Sequence, residues 1–160
     1  RAGAEPQPFR LGIGPLALSE DAETLYFGPV TGRTWYSLPT SLLRSAASDA
    51  EIFAAIQPVG PKPFATGAAI DPEGNHFFGA IEKNGIVMLH GETGQTPTVV
   101  SERHLPWPGD LAFGPDGWLY FTVTDLHRAP VFQGGLERGR PPYHLYRVWT
   151  GTDKHAAPAP

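Results

Sequence analysis

The residues best suited to chemistry flank two aromatic segments in the last third of the 160-residue chain. Trp107 and Asp110 precede a short apolar run, whereas Asp125, His127 and Arg128 follow an aromatic one. An aromatic ring beside a carboxylate suits a cationic amine, through the ring face and the charge. The plainer alternative is that Asp125 and Arg128 pair with each other or cap the loop that begins there.

Other kinds of site find less support in the residue types. The sequence has no cysteine, which excludes disulfides, thiol nucleophiles and cysteine-based zinc sites. None of the six histidines stands in an HxH or HExxH spacing, so zinc is unsupported. Asp21, Glu73 and Asp116 fall in turn sequences, where a carboxylate usually bonds its own backbone.

A repeated β unit must position these residues. Residues 107–122 read WPGDLAFGPDGWLYFT, in which a Gly-Pro-Asp-Gly turn separates two apolar segments. Proline presets the backbone of a tight turn and glycine accepts positive φ at its end, so the pattern predicts strand, turn and strand. Related units, ALSEDAETLYF and AIDPEGNHFF, occur earlier, and alignment of Ala17, Ala69 and Ala112 places them 52 and 43 residues apart.

A strand-built period of this length is typical of propeller blades. One small sheet cannot bury both of its faces alone, so neighbouring blades must stack on it. The alternative is an ordinary sandwich with recurrent turns. We therefore predict an all-β chain of about three blades, over 12–45, 64–101 and 107–150. We expect a short helical excursion near 48–56, between the first two blades, and a flexible tail over 151–160.

Two features of this arrangement concern the site. Thr66 falls at the second blade's mouth, in the position that precedes its inner strand, and can contribute a hydroxyl to a ligand. Residues 127–142 form a long loop within the last blade, rich in glycine and proline. Loops of this length are often functional or disordered.

Composition limits the partners. The net charge is −4, without a cluster of lysine and arginine, which argues against nucleic acid and anionic membranes as partners. No apolar run approaches the ~18 residues of a membrane span. Three blades are too few to close a ring and would leave two apolar faces uncovered. We expect residues 1–160 to form a single domain or part of one, completed by the N-terminal half of the same propeller or by a second copy.

Several stretches resemble the major royal jelly protein/yellow family, in its bacterial branch. The resemblance covers roughly residues 10–150 and rests on the order and spacing of the motifs. These are GPLALS (14–19), TLYFGP (24–29), YSLPTSLL (36–43), WPGDLAFGPDGWLYFT (107–122), VTDLHR (123–128) and PPYHLYRV (141–148).

The resemblance implies a six-bladed β-propeller around a central cavity, usually secreted or periplasmic, of which this chain is the C-terminal half. It also implies ligand binding, since members bind small molecules that include biogenic amines and sterols. Some insect yellow proteins are linked to dopachrome conversion. The broader superfamily includes calcium- or zinc-dependent lactonases that resemble gluconolactonase.

The lactonase relationship makes a demand that the residues can answer. Its metal-dependent members place Asp or Asn just before a Gly-x-Ala pattern at the mouth of the inner strand, since hard cations need oxygen ligands from several blades. Here those positions are Gly14, Thr66 and Gly109. Asp110 lies one residue further on, and strand alternation turns it to the other face unless a bulge at Gly109 re-aims it. The sequence therefore predicts no metal in this half, with calcium as the alternative.

Three functions remain open. The first is a non-catalytic propeller that binds a small ligand in its central channel through Thr66, Trp107, Asp110, Asp125, His127 and Arg128. The second is an enzyme of the lactonase or dopachrome-converting kind, whose remaining site residues lie on the other half. The third is a structural or protein-interaction propeller.

Overall fold

Eleven strands in three antiparallel sheets form the framework of the described chain. The structure, a computed structural model, describes residues 11–114, 117–139 and 141–152. Within these ranges the strands are β1 Ile13–Leu18, β2 Thr24–Pro29, β3 Thr34–Pro39, β4 Gln57–Pro61, β5 Ala68–Ile70, β6 His76–Ala80, β7 Gly85–Leu89, β8 Thr98–Ser101, β9 Pro108–Phe113, β10 Trp118–Val123 and β11 Leu145–Trp149. The sheets contain β1–β4, β5–β8 and β9–β11, each in chain order.

The sheets stack as propeller blades, with their first strands next to one another at the centre. β5 contacts both β1 and β9, so these three are the inner strands. Ala17, Ala69 and Ala112 lie in β1, β5 and β9, and their partners on the second strands are Tyr26, Phe77 and Tyr120. The three alanines thus hold equivalent places in successive sheets, and the predicted all-β propeller segment of about three blades is confirmed.

The hairpins that join inner and second strands follow from local turn chemistry. In the second blade, Asn75 donates from its backbone to Oδ1 of Asp71 at 2.8 Å and from its side chain to Oδ2 at 2.9 Å. Gly74 supplies the positive φ of +79° that this tight turn requires. In the third blade, Gly114 donates to the carbonyl of Trp118. The predicted turn residues Pro115 and Asp116 lie outside the described residues.

Two short helices interrupt the first blade. They are α1 Thr40–Arg44 and α2 Asp49–Ala55. Ser48 caps α2 in a capping box with Glu51, since each side chain bonds the other residue's backbone N–H. β4 follows α2 and pairs with β3, so the helices lie inside the first blade. Their placement between two blades was therefore wrong, because the first sheet extends to Pro61.

Each seam between adjacent blades is filled by a hydrophobic cluster. The first seam contains Trp35, Ala65, Ala68, Phe78 and Leu89, with Ala17 and Tyr26 packed against them. The second seam contains Ala69, Phe77, Ile86, Leu105, Phe113, Leu119 and Phe121. Since both faces of the second blade are covered, its first three strands are almost wholly buried, whereas its outer strand β8 is not. Apolar burial on both faces of the middle sheet is what holds the arc together.

The outer faces of the first and third blades carry apolar side chains that no other described residue covers. Leu16 and Leu18 alternate with Ala17 and so point away from the first seam, with 54% and 48% of their surfaces exposed. On the third blade, Trp149 pairs with Trp118 on the face opposite the second seam and is also exposed. We call these the two free faces of the arc.

The C-terminal tail is described only at its start. The predicted tail over 151–160 lies, apart from its first two residues, outside the described residues. Among the helices of the described ranges, none is long and apolar enough to cross a membrane.

Candidate functional site

Five of the six candidate residues, all but Asp110, meet on the upper rim, the edge of the arc where the inner strands begin. The segment before β9, the end of β10 and the long loop of the third blade converge there. The backbone N–H of Thr124 donates to the carbonyl of Trp107 at 3.0 Å, which ties the start of the loop to the start of the inner strand. Two 3-10 turns, Leu126–Arg128 and Pro130–Phe132, then give this end of the loop a defined shape.

Thr66, Trp107 and His127 form one contiguous stack. Trp107 is buried, and its indole Nε1 donates to Oγ1 of Thr66 at 3.3 Å. The Thr66 hydroxyl donates in turn to the carbonyl of Pro108 at 3.4 Å. The rings of Trp107 and His127 are stacked, with centroids 6.4 Å apart and an interplanar angle of 10°. The structure thus joins two blades and the long loop through these three residues.

Asp125 and Arg128 form an ion pair across one turn of the loop. Nη1 of Arg128 lies 3.6 Å from Oδ2 of Asp125. The two side chains therefore pair with each other, as the alternative to a ligand role predicted. Arg128 offsets the charge of the Asp125 carboxylate and so weakens its attraction for a cationic amine. Since Arg128 is largely exposed, the pair itself contributes about 1 kcal/mol at most.

Asp110 lies apart from the other candidates. Leu111 pairs with Phe121 and Pro108 with Val123, so Gly109 and Asp110 together oppose a single residue of β10. This is the β-bulge at Gly109 that the sequence analysis required if Asp110 was to be re-aimed from the other face. Asp110 is exposed, and within the described ranges it makes no hydrogen bond or ion pair.

A cavity of about 300 Å³ opens beside the Asp125–Arg128 pair. Tyr146 forms part of its wall. The centroid of the Tyr146 ring lies 5.6 Å from that of His104 and 5.8 Å from that of His144. The lining residues are Arg103, His104, Pro106, Val123, Thr124, Asp125, Arg128, Pro142, Tyr143, His144 and Tyr146. A groove next to it is lined by His127, Arg128, Gln133, Glu137, Arg138 and Gly139.

Sequence reasoning missed most of this cavity. Arg103 and His104 precede an inner strand just as Trp107 does, and Tyr143 and His144 close the long loop. Position next to the mouth was therefore an available signal. No sequence spacing shows, however, that residues 103–104 and 143–144 meet, because their contact depends on the return path of the loop.

Two buried polar atoms at this site lack hydrogen-bond partners in the described structure. They are Oγ1 of Thr124, a residue of the cavity wall, and Nδ1 of His127. Gln133 donates to the backbone carbonyl of His127 at 2.8 Å, which holds this part of the loop but leaves the ring nitrogen unpaired. An unpaired buried polar atom costs about 1–3 kcal/mol, so such atoms usually mark a bound water or ligand.

The three inner-strand mouths offer few ligands for a metal. Gly14, Thr66 and Gly109 each lie three residues before the equivalent alanines Ala17, Ala69 and Ala112, and only the neighbouring Asp110 is a carboxylate. Across the described parts of the chain, no group of three histidine, aspartate or glutamate side chains is placed to hold a metal ion. A hard cation needs six to eight oxygen ligands, so these blades alone do not fit one.

The fold and this rim define a segment of a β-propeller with a loop-built cavity on one blade. The major royal jelly protein family model matches residues 6–111, and the chain belongs to that family. No curated protein matches the chain.

Solved structures show the same fold at low sequence identity. A gluconolactonase from Xanthomonas campestris has a TM-score of 0.62 and 19% identity, with 86% of this chain and 44% of that chain covered. A luciferin-regenerating enzyme has a TM-score of 0.54 and 21% identity, with 88% of this chain and 46% of that chain covered. Regucalcin, a calcium-binding protein from Agrobacterium tumefaciens, has a TM-score of 0.51 and 15% identity, with 89% of this chain and 46% of that chain covered. The chain spans less than half the length of each of these proteins.

Proposed function

We propose that this chain is the ligand-binding part of a royal-jelly-type propeller, and that it binds a small organic molecule at the channel mouth without transforming it. The unpaired, buried hydroxyl of Thr124 in the wall of the rim cavity is the observation that carries this proposal. A ligand that accepts or donates a hydrogen bond there removes the cost of burying this group.

The shape of the cavity supports a ligand of about one ring. A volume of about 300 Å³ lies at the lower end of the range for small-molecule sites. Tyr146 and His144 supply aromatic surface, and the stack of Thr66, Trp107 and His127 stands beside it as a rigid support. Sites that bind without catalysis combine such walls with a few polar groups that fix the orientation.

Three phenols that differ only in charge test binding: tyrosol, tyramine and 4-hydroxyphenylacetate. We expect at least one to bind the intact chain in calorimetry, with a Kd below about 1 mM. Thr124→Val should weaken that binding by about five- to tenfold, whereas Thr124→Ser, which keeps the hydroxyl, should not. Failure of all three phenols, or equal binding by the valine variant, contradicts the proposal.

Thr124→Val also separates function from folding. Valine has the shape of threonine without the hydroxyl, so in the unliganded protein it removes an unpaired buried group. We expect the free energy of unfolding to stay constant or rise by about 1 kcal/mol while affinity falls. A variant that loses both stability and affinity would show that the hydroxyl serves the fold.

A lactonase-like or dopachrome-converting enzyme is the second candidate. It is favoured by the fold shared with a gluconolactonase and by the bulge that exposes Asp110 at the third inner strand. Its metal would be calcium, and its other ligands would come from blades beyond these three. Calorimetric titration with calcium of the chain within its completed ring, compared with the same ring carrying Asp110→Asn, distinguishes this candidate. Loss of calcium binding in the variant supports the enzyme, and no binding by either supports the first proposal.

The remaining parts of the ring and the place of action are also proposals. The two free faces of the arc suit further blades, supplied by an N-terminal half of the same propeller or by a second copy of the chain. Family membership supports a secreted or periplasmic setting, which a fractionation experiment on the source cell would test.

A further inference from the structure

The charges around the rim cavity indicate the chemistry of its ligand. Among the described residues, two arginines, Arg103 and Arg128, line the cavity, together with a single carboxylate, Asp125. Asp125 is already paired with Arg128. Arg103 makes no ion pair within the described ranges, and its neighbour Glu102 is not part of the lining. The cavity therefore carries an uncompensated positive charge.

We propose that the ligand of this cavity is an aromatic acid, with its carboxylate held by Arg103 and Arg128 and its ring against Tyr146. This inference rests on the proposed function, since it names the class of molecule that the same site takes. It reverses the preference for a cationic amine that an aromatic residue beside a carboxylate suggests.

The ion pair explains the preference. A cationic amine beside Asp125 would lie near two guanidinium groups, which repel it, and Arg128 already offsets the charge of that carboxylate. A carboxylate meets both guanidinium groups without breaking any bond present in the protein. Guanidinium presents paired N–H donors that match the two carboxylate oxygens, which adds geometric selectivity to the charge.

The hydrogen-bond donors of the cavity point the same way. The hydroxyl of Thr124 is unpaired and can donate to an anionic oxygen. Tyr143 and His144 bring a phenol and an imidazole to the same cavity, and each has an N–H or O–H available for donation. A site with many donors and no free carboxylate suits an acceptor-rich, negatively charged ligand.

The ring of the ligand has aromatic surface to contact. The planes of His104 and His144 are tilted by 41° and 56° to the plane of Tyr146, so the three rings do not stack on one another. The open arrangement leaves ring surface for a flat ligand, which would gain the offset contacts that aromatic groups prefer. A volume of about 300 Å³ leaves room for one substituted ring.

The test compares the three phenols by calorimetry at low ionic strength. We expect 4-hydroxyphenylacetate to bind about tenfold more tightly than tyrosol, and tyramine to bind most weakly. Arg103→Gln should reduce the advantage of the acid over tyrosol to threefold or less, while the affinity for tyrosol itself changes by less than twofold. Raising the salt concentration should weaken the acid alone.

A matched control comes from the other side of the blade. Arg147 lies on the free face, over the ring of Trp118 at 4.3 Å, and takes no part in the cavity. Arg147→Gln should leave the order of the three affinities unchanged. Arg103 is exposed, so its variant should keep the thermal midpoint of the parent chain.

Each outcome decides one question. Equal binding of the acid and tyrosol, or tightest binding of tyramine, overturns the inference and leaves the proposed function intact. Failure of all three phenols overturns both. Selective binding of the acid that Arg103→Gln does not reduce shows that the charge acts elsewhere, and it also overturns the assignment to this cavity.

Discussion

The indole of Trp35 donates a hydrogen bond of 3.2 Å from Nε1 to Nδ1 of His76, inside the first seam. The two residues lie 41 positions apart and belong to different blades. Because Nδ1 accepts this bond, a neutral imidazole carries its proton on Nε2. Burial lowers the pKa of His76 to about 4, although the nearby Asp71 carboxylate acts in the opposite direction. Protonation at Nδ1 would break the bond between the blades.

Acidification should therefore begin to destabilise the arc at pH values higher than those at which most carboxylates titrate. The folded protein binds the His76 proton less tightly than the unfolded chain, whose histidine pKa is about 6.5. The unfolded state gains a proton first as the pH falls, so the free energy of unfolding should drop between pH 6.5 and 4, by up to about 3 kcal/mol. Urea titrations at several pH values measure this change.

The matched variant for this prediction is His76→Asn. Its side-chain oxygen can accept the Trp35 hydrogen bond, but it does not titrate. We expect it to lose the part of the pH dependence that His76 causes. If parent and variant show the same slope between pH 6.5 and 4, His76 does not control the acid sensitivity.

Gly67 is the position where a small residue is most necessary. A Cβ at this position would lie 2.1 Å from the carbonyl oxygen of Gly109, because β5 and β9 approach closely at the channel. Gly67→Ala should cost about 3 kcal/mol or more, since the obstacle is backbone rather than a flexible side chain. Gly12→Ala meets nothing within 4 Å and should change stability by less than about 0.5 kcal/mol. Equal effects of the two substitutions in chemical denaturation would contradict this packing.

The Arg33–Glu82 pair should hold the first two blades together at the upper rim. The guanidinium makes two hydrogen bonds to the carboxylate, at 2.5 and 2.7 Å, and lies 3.9 Å from the ring centre of Phe64. These bonds lower the pKa of Glu82, so their contribution disappears as the pH falls through that lowered value. Both side chains are partly exposed, and we expect Arg33→Met to cost about 1 kcal/mol at pH 7.

Arg44 provides the comparison for Arg33. It pairs with Glu23 at 3.2 Å within the first blade, and both side chains are largely exposed. Arg44→Met should therefore have almost no effect on thermal unfolding. A larger loss for Arg44→Met than for Arg33→Met would show that the pair between blades is not the stronger one.

The 160-residue chain should associate with itself through its free faces. Ala17 and Tyr26 pack in the first seam with Ala68 and Phe78. By strand register, Ala112 and Tyr120 of the third blade correspond to Ala17 and Tyr26. Leu16 and Phe27 of the first blade correspond to Ala68 and Phe78. The third blade of one copy can thus pack on the first blade of another. Light scattering should show a mass that rises with concentration.

Leu16→Glu should shift this association toward the monomer by placing a charge on the free face. Val131→Glu is the matched control, because Val131 is an exposed apolar residue of the long loop and belongs to neither free face. A parent chain that stays monomeric and stable at all concentrations would show that the free faces do not pair.

Local signals made the scaffold predictable. The spacing of Ala17, Ala69 and Ala112 located the inner strands, and the helical excursion predicted near 48–56 contains α2. β4 escaped detection because Pro58 and Pro61 lack the N–H that a strand normally donates. An edge strand tolerates such residues, since one of its sides needs no partner.

The site was predictable only where it is local. The pairing of Asp125 with Arg128 spans three residues and was one of the alternatives that the sequence offered. Stacking of His127 on Trp107, and the convergence of His104 and His144 on Tyr146, depend on how the long loop returns to the blade. Sequence spacing carries no information about such a path.

The long loop has a consequence for how proteins of this kind diverge. In the structure the loop fills the space between β10 and β11, and its described residues, 125–139 and 141–144, include none that is fully buried, whereas the seams consist mostly of buried strand residues. The loop is thus an exchangeable cassette. Selection can rewrite it for a new small molecule while the wedge-shaped sheets beneath keep their fit, so binding preference and architecture can evolve on separate schedules.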